Sequence, residues 1–413
     1  MQPKAILLAL LSVSLVSLAV QAQDLVVSSR TLTLANGRRL SVQGMSFKAL
    51  QKGLQQRGLG NFEQAIDAFG QAIDYNPVYA QAFYERGMTY LKLSQFDQAL
   101  ADFSVVIDLQ PPELLVDAYN NRGYLYSEVF YQYPEALQDF SKAIQINPSY
   151  ARAYYNRALA YDGDRQYAKA IADYSKTLQL KPDYIDAYNN RGITYLEMRQ
   201  ADKALLDFEQ AIKLKPDYAL GYYNLGLAYA YLKQFEKAMS QYNKAIELNP
   251  QYATAYQNRG YLYNEVFKDY DKALADFNKA LQISPDYSNA YYNRGLVYFN
   301  RNEYEKAAAD FEQVTQLNAK DADAYYYLGE CHYRLSEFNL ALADFVKVSE
   351  LLPRDAWSYY WQARLYSVTK NIPNSLTALK TAIQLNPDFK KMARSEADLV
   401  FIRNQAEFKK LVQ

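Results

Sequence analysis

The chain has 413 residues, with 45 Lys and Arg against 45 Asp and Glu, and a zero formal charge argues against the field a general nucleic-acid binder needs. One Cys and one His, Cys331 and His332, exclude an internal disulfide, a dithiol centre, a zinc ribbon and a His-rich metal site. Half the residues are hydrophobic, 22% are charged and Tyr occurs 41 times, so the chain is not of the disordered class.

The N-terminus reads as an address. Met1-Gln2-Pro3-Lys4 carries one basic side chain, Ala5 to Val20 is uncharged, and Val20-Gln21-Ala22 places a small residue before Gln23-Asp24. The apolar run is shorter than the ~20 residues that span a bilayer. Residues 1–22 are expected to be a signal peptide. Its removal leaves a secreted or periplasmic protein of a bacterial envelope, with no stable membrane insertion. No Cys lies near residue 22, which excludes a lipoprotein anchor. Residues 23–45 form an extension. In it, Thr31-Leu32-Thr33-Leu34 and Arg39-Leu40-Ser41-Val42 alternate like strands around Asn36-Gly37. A loop over Asn36 to Arg38 would pair Leu34 with Leu40 and Leu32 with Val42 in a short hairpin.

From Ser46 the sequence repeats. Pro182, Pro216 and Pro250 are 34 apart, as are Gly192, Gly226 and Gly260, and the Ala residues at 170, 204 and 238 keep the same step. With a unit starting at Ile185, Gly192 is position 8, Ala204 is 20, Phe208 is 24, Ala211 is 27 and Pro216 is 32. This pattern resembles the tetratricopeptide repeat family. The resemblance implies an all-α fold, a right-handed α-solenoid superhelix of helix–turn–helix units. Ten units span residues 46–389, starting at Ser46, Ala80, Val116, Ala151, Ile185, Ala219, Ala253, Ser288, Ala322 and Ala356. Small residues at positions 8, 20 and 27 let the two helices approach. Aromatics at 11 and 24, such as Tyr195 and Phe208, fill the space beside them. Pro at 32 stops the second helix. Stacked neighbours then share one core.

Position 7 is Arg in six units (Arg86, Arg122, Arg157, Arg191, Arg259 and Arg294), and position 23 of each is Asp. An Arg–Asp pair between the two helices is expected, with a structural role. The sixth unit changes both residues, to Leu225 and Gln241, while the ninth keeps Asp344 opposite Leu328. Asn121 to Phe130 closely matches Asn258 to Phe267, and both units carry one extra residue in the turn between their helices. Residues 390–413, with Met392, Leu399, Phe401, Phe408 and Leu411 apolar, read as one or two helices and look like the capping helix that ends arrays of this family.

In the family, positions 2, 5, 6, 9, 12 and 13 of the first helix face the groove. Position 6 is Asn121, Asn156, Asn190, Asn224, Asn258 and Asn293 in six consecutive units. An amide offers donor and acceptor to a peptide group whatever the ligand's side chains. The array is similar to the Asn ladder of O-linked N-acetylglucosamine transferases. The last units turn aromatic, with Tyr326, Tyr327, Trp357, Tyr360 and Trp361 as anchors for an apolar segment or a sugar. The groove acids Asp117, Glu128, Asp162, Asp186, Glu197, Glu265 and Glu330 could attract cations or basic segments. The carboxylate clamp of one subclass is absent. His332, at position 11, is expected to be a core imidazole, and Cys331 a buried thiol.

No phosphate loop, nucleophile elbow or metal-ligand spacing occurs, and the repeats leave no room for a catalytic domain. The sequence therefore reads as a non-enzyme without cofactors. The leading reading is an exported scaffold or assembly factor holding an extended protein or peptide partner, with no nucleic acid. The alternative is a carbohydrate- or polysaccharide-associated protein using the aromatic C-terminal groove.

Overall fold

A computed structural model describes residues 31–33 and 39–413. The expected signal peptide and the expected hairpin loop lie outside the described residues. Strands β1 (Thr31–Thr33) and β2 (Arg39–Ser41) pair antiparallel, with Leu32 opposite Leu40 and Thr31 opposite Ser41. This corrects the expected register, in which Leu34 faced Leu40 and Leu32 faced Val42. Val42 is unavailable to the ladder because it already opens a helix. Ser41 is that helix's N-cap, its Oγ accepting from the Gly44 N–H at 3.1 Å.

Beyond β2 the described chain is helical, and it divides into two compact units at Leu214 and Lys215. In the first unit, helices A and B are Val42–Gly58 and Phe62–Tyr75 in repeat 1, and Ala80–Lys92 and Phe96–Leu109 in repeat 2. Repeat 3 has Leu115–Tyr124 and Tyr133–Ile146, repeat 4 Ala151–Gly163 and Tyr167–Leu180, and repeat 5 Ile185–Glu197 and Ala201–Leu214. In the second unit, repeat 6 has Ala219–Tyr231 and Phe235–Leu248, repeat 7 Ala253–Glu265 and Tyr270–Ile283, and repeat 8 Ser288–Asn300 and Tyr304–Leu317. Repeat 9 has Ala322–Arg334 and Phe338–Leu351, and repeat 10 has Ala356–Val368 and Ile372–Leu385. Within each unit, helix A packs on its own helix B, and B packs on the next A, as in an α-solenoid.

The reason lies at positions 8 and 24. Position 24 is aromatic in repeats 1 to 9, and every such ring, from Phe69 to Phe345, is at most 1% exposed. The ring lies where a position-8 side chain would go: a Cβ on Gly192 would stand 2.6 Å from the Phe208 ring. The position-11 rings pack beside this core as expected, Tyr126, Tyr161, Tyr229 and Tyr263 among them. Tyr195 is half-buried, and its ring also lies 6.0 Å from the Arg191 guanidinium.

The residue before the Pro at position 32 is extended at Asn147, Asn249 (φ −135°, ψ 90°) and Asn386, which ends helix B as proline sterics require, whereas Gln110 before Pro111 ends its helix in the left-handed region (φ 55°). Each A–B turn holds one left-handed residue. It is Gly60 in repeat 1, but in the other nine it carries a side chain, for example Lys233 (φ 57°) and Asn302 (φ 60°). The extra residue of repeat 3 is taken up in a π-helical turn, Leu125–Val129, closed by Phe130 N–H on Leu125 O at 3.1 Å. Repeat 7 repeats the bond, Phe267 N–H to Leu262 O at 3.1 Å.

Of the one or two helices expected at the end of the chain, the structure has two short ones, Phe389–Ser395 and Ala406–Val412, around a 3₁₀ turn, Ala397–Leu399. Phe389, Leu399, Ile402, Phe408 and Val412 are buried against repeat 10, whereas Met392 and Phe401 are exposed.

Candidate functional site

The six Arg–Asp forks are present. Each Arg meets its Asp through two bonds, such as Arg191 Nε to Asp207 Oδ2 at 2.8 Å and Nη2 to Oδ1 at 2.6 Å. A third bond crosses to helix B of the preceding repeat, as from Arg191 Nη1 to Ser175 Oγ at 2.8 Å. Asn243 and Asn278 take that place for Arg259 and Arg294. Tyr188 and Tyr195 flank the Arg191 guanidinium. Five forks thus join three helices, while Arg86, which has Gly70 in the bridging place, bonds only Asp102 among the described residues; in all six the acid is taken up by its Arg.

Asp344 also has a partner. With Leu328 in place of Arg, His332 turns its Nδ1 to Asp344 Oδ2 at 2.6 Å. This hydrogen bond holds the imidazole above its ordinary pKa, against the opposing pull of burial. Burial pushes the neighbouring Cys331 thiol up to about 12.

The asparagine ladder turns partly inward. Asn190 Nδ2 donates to Tyr155 Oη at 2.9 Å, and Asn121 Nδ2 to Tyr84 Oη at 3.3 Å. Asn156 Nδ2 donates to Asn120 Oδ1 at 2.9 Å. In the second unit Asn258 Nδ2 donates to Tyr223 Oη at 2.9 Å, and Asn293 Nδ2 to the Asn289 carbonyl at 2.8 Å. The acceptor in the first four is position 5 of the preceding repeat. The sequence expectation of six amides turned to a ligand is therefore corrected. Asn121, Asn156 and Asn224 are buried, and Asn190, Asn258 and Asn293 are half-buried. Position 5 alternates between Tyr and Asn or Gln from repeat 2 to repeat 8, and the acceptor is accordingly Tyr for Asn121, Asn190 and Asn258 and Asn for Asn156.

The C-terminal aromatics also divide. Tyr360 is 1% exposed and stacks on Phe389 with centroids 4.5 Å apart. Trp361 is 6% exposed, lies parallel to Phe345 at 4.9 Å, and donates Nε1 to Tyr326 Oη at 3.1 Å. These two are core residues, correcting the expectation that they face a ligand, because the terminal segment and repeat 9 cover them. Trp357 keeps 45% of its surface exposed, with edge contacts to Phe389 and Tyr360. Tyr326 and Tyr327 are half-buried, Tyr327 stacked on Phe311 at 5.3 Å. The terminal segment also takes up Arg364, whose Nη2 meets Asp398 Oδ2 at 2.8 Å beneath Tyr333 Oη.

Sequence reasoning missed a cleft in repeats 1 and 2. It encloses about 580 Å³ and is lined by Leu54, Arg57, Phe62, Tyr84, Met88 and Lys92, among others. Arg57 is tied there to Glu85 at 2.6 Å. Leu54, Tyr84, Met88 and Lys92 fall at groove positions of the repeat, but the repeat pattern alone does not show that Arg57 and Phe62 close a cleft beside them. Among the described residues no three His, Cys, Asp or Glu side chains gather as metal ligands. No described helix is long and apolar enough to cross a membrane.

Stacked helix–turn–helix pairs with small residues at position 8 and a buried ring at 24 define a helical-repeat protein with a helix-A face for contacts. The chain belongs to the tetratricopeptide repeat family. Models described as tetratricopeptide repeat match residues 50–113, 185–218, 219–252, 241–275 and 288–321, and a TPR repeat model matches 132–162, 166–198 and 268–302. Similar curated proteins include the mitochondrial import receptor subunit TOM70 of Homo sapiens, 33% identical over 97 residues, 22% of this chain and 16% of the receptor. Hsp70-Hsp90 organizing protein 3 of Arabidopsis thaliana is 36% identical over 96 residues, 23% of this chain and 17% of that protein. The chain thus matches only about a sixth of these relatives' lengths. Among solved structures, a tetratricopeptide repeat protein from Parabacteroides merdae covers 61% of this chain and 98% of its own, at 20% identity and a TM-score of 0.51. YrrB, described as a TPR protein with an unusual peptide-binding site, covers 44% and 93%, at 29% identity and a TM-score of 0.41.

Proposed function

We propose that this protein is a non-catalytic binding scaffold that holds an extended polypeptide segment along the helix-A face. One observation carries the reading. The helices A leave large aromatics in water, namely Phe47, Tyr124, Tyr231, Tyr261 and Trp357, whereas the exposed large side chains of the helices B are aliphatic apart from Tyr75. Exposed aromatics give contact area at low entropic cost and are frequent binding anchors. The half-buried Asn190, Asn258 and Asn293 add polar contacts. An amide has two N–H donors, so the bond inside the protein fixes the side chain and leaves the other N–H to a ligand. The import-receptor and organizing roles named for the two relatives agree with partner binding. The carbohydrate reading loses two of its three aromatics, Tyr360 and Trp361, to the core.

The scaffold works outside the cytoplasm, a reading that rests on the Ala5–Val20 run and Ala22. N-terminal sequencing of the exported protein should begin at Gln23, and retention of Met1 would refute cleavage. The binding reading is tested by placing a photo-crosslinking phenylalanine analogue at Tyr124, Tyr261 or Leu206 and irradiating in native extract. Polypeptide adducts should form from the first two positions and not from Leu206, on helix B. Adducts confined to Leu206, or none at all, would reject the proposed face.

A further inference from the structure

The helix-A face of repeats 3 to 5 says more about its occupant. Tyr124 (43% exposed) and Ile193 (39% exposed) stand in water on this face without a covering element among the described residues. Three of the four cations on these helices, Arg122, Arg157 and Arg191, are consumed by the forks to Asp139, Asp173 and Asp207. Arg152 is the remaining one, and it lies at the end that holds Asp117 and Asp186. Tyr150 Oη donates to Asp117 there at 2.5 Å.

The other end of the face is different. Glu128, Asp162 and Glu197 come from three successive repeats, and none of the three has a basic side chain in an ion pair with it in the described structure. Asp162 is fixed by Tyr174 Oη at 2.7 Å and by Thr194 Oγ1 at 2.8 Å from the next repeat. Those donors hold the carboxylate in place without neutralising it. The turns beyond add Asp164, Arg165 and Arg199. Acid therefore outweighs base on a face that also exposes Tyr124 and Ile193, and an acidic or purely apolar segment would leave these carboxylates without a counter-charge.

We propose that this face docks an extended segment bearing Lys or Arg, with the basic side chains at Glu128, Asp162 and Glu197 and separate apolar side chains over Tyr124 and Ile193. The proposal rests on the scaffold reading and names the partner's chemistry.

The test is fluorescence anisotropy with the full chain and three labelled twelve-residue peptide sets of equal apolar content, carrying Lys and Arg, Asp and Glu, or Ser and Gln. The basic set should bind tightest. Its affinity should fall at least tenfold in Glu128→Gln/Glu197→Gln and fall steeply with added salt, while Glu305→Gln/Glu350→Gln, outside the face, changes nothing. Both double variants replace exposed side chains, and circular dichroism checks that they fold. Equal or tighter binding of the acidic or neutral set overturns the charge assignment and leaves the scaffold reading standing. Basic peptides that bind both double variants alike overturn the location. Binding by none of the three sets overturns both this proposal and the reading beneath it. Self-association through this face, seen by sedimentation and lost in Glu128→Gln/Glu197→Gln, would make a second copy the occupant and overturn the proposal.

Discussion

Asn190 Nδ2 donates to Tyr155 Oη at 2.9 Å, joining side chains 35 residues apart in consecutive repeats. A bond between repeats couples their stabilities. A double-mutant cycle of Asn190→Ala and Tyr155→Phe in urea unfolding should therefore show a coupling of about 0.5–1.5 kcal/mol. A coupling near zero would mean that the bracket contributes no net stability.

The Arg forks should respond asymmetrically. Arg157→Ala strands Asp173 beneath its neighbours and should cost about 3–5 kcal/mol. Arg191→Leu combined with Asp207→Gln copies what repeat 6 already carries, Leu225 and Gln241, and should cost less than Arg191→Leu alone. Chemical denaturation of the three variants decides it. If the double variant is the least stable, the exchange in repeat 6 depends on its surroundings.

His332 predicts a pH dependence of known sign. Its imidazole is raised by the bond to Asp344, with Glu337 and Glu312 adding weaker attraction. A folded-state pKa above the unfolded value of about 6.5 means the contribution is complete below that pH and is lost as pH rises through the folded pKa. Being the one His in the chain, it gives a single imidazole Hε1 signal to follow by NMR. A midpoint at or below 6.5 would contradict the pair, and His332→Gln should remove this part of the pH dependence.

The left-handed turn residues are a reserve of stability. A left-handed non-glycine residue costs about 1–2 kcal/mol, and glycine forfeits about 0.5–1 kcal/mol in chain entropy. Lys233→Gly should thus raise stability by up to about 1 kcal/mol. Asn302→Gly should gain less, since asparagine tolerates this region better. Thermal melts that rank the two the other way would show that the lysine makes compensating contacts.

Trp357 and Tyr360, three residues apart, should separate binding from folding. Tyr360→Ala empties a buried site and should cost about 3–5 kcal/mol. Trp357→Ala should cost no more than about 1 kcal/mol while weakening partner capture. Equal losses of stability would place Trp357 in the core.

The repeat phase, the forks and the helix pairing were legible in the sequence, because ten units can be compared within one chain. Residues whose partners lie outside their own unit were not. Asn121, Asn156, Asn190 and Asn258 looked ligand-facing because their Tyr and Asn acceptors sit in the preceding repeat, so no single unit reveals the bond. Tyr360 and Trp361 looked exposed because the segment from Phe389 to Val412 that encloses the end of the array has no 34-residue period. The exception at Asp344 became clear only when His332, four positions from the absent Arg, proved to be its partner.

Cys331 is the sole thiol of the chain, fully buried in helix A of repeat 9 and held protonated by that burial. It reacts with an alkylating reagent only when its surroundings open. The labelling rate of the unmodified protein is therefore a built-in clock for the breathing of one repeat. A cysteine introduced on an outer surface can carry a dye or a spin label without first erasing a native competitor.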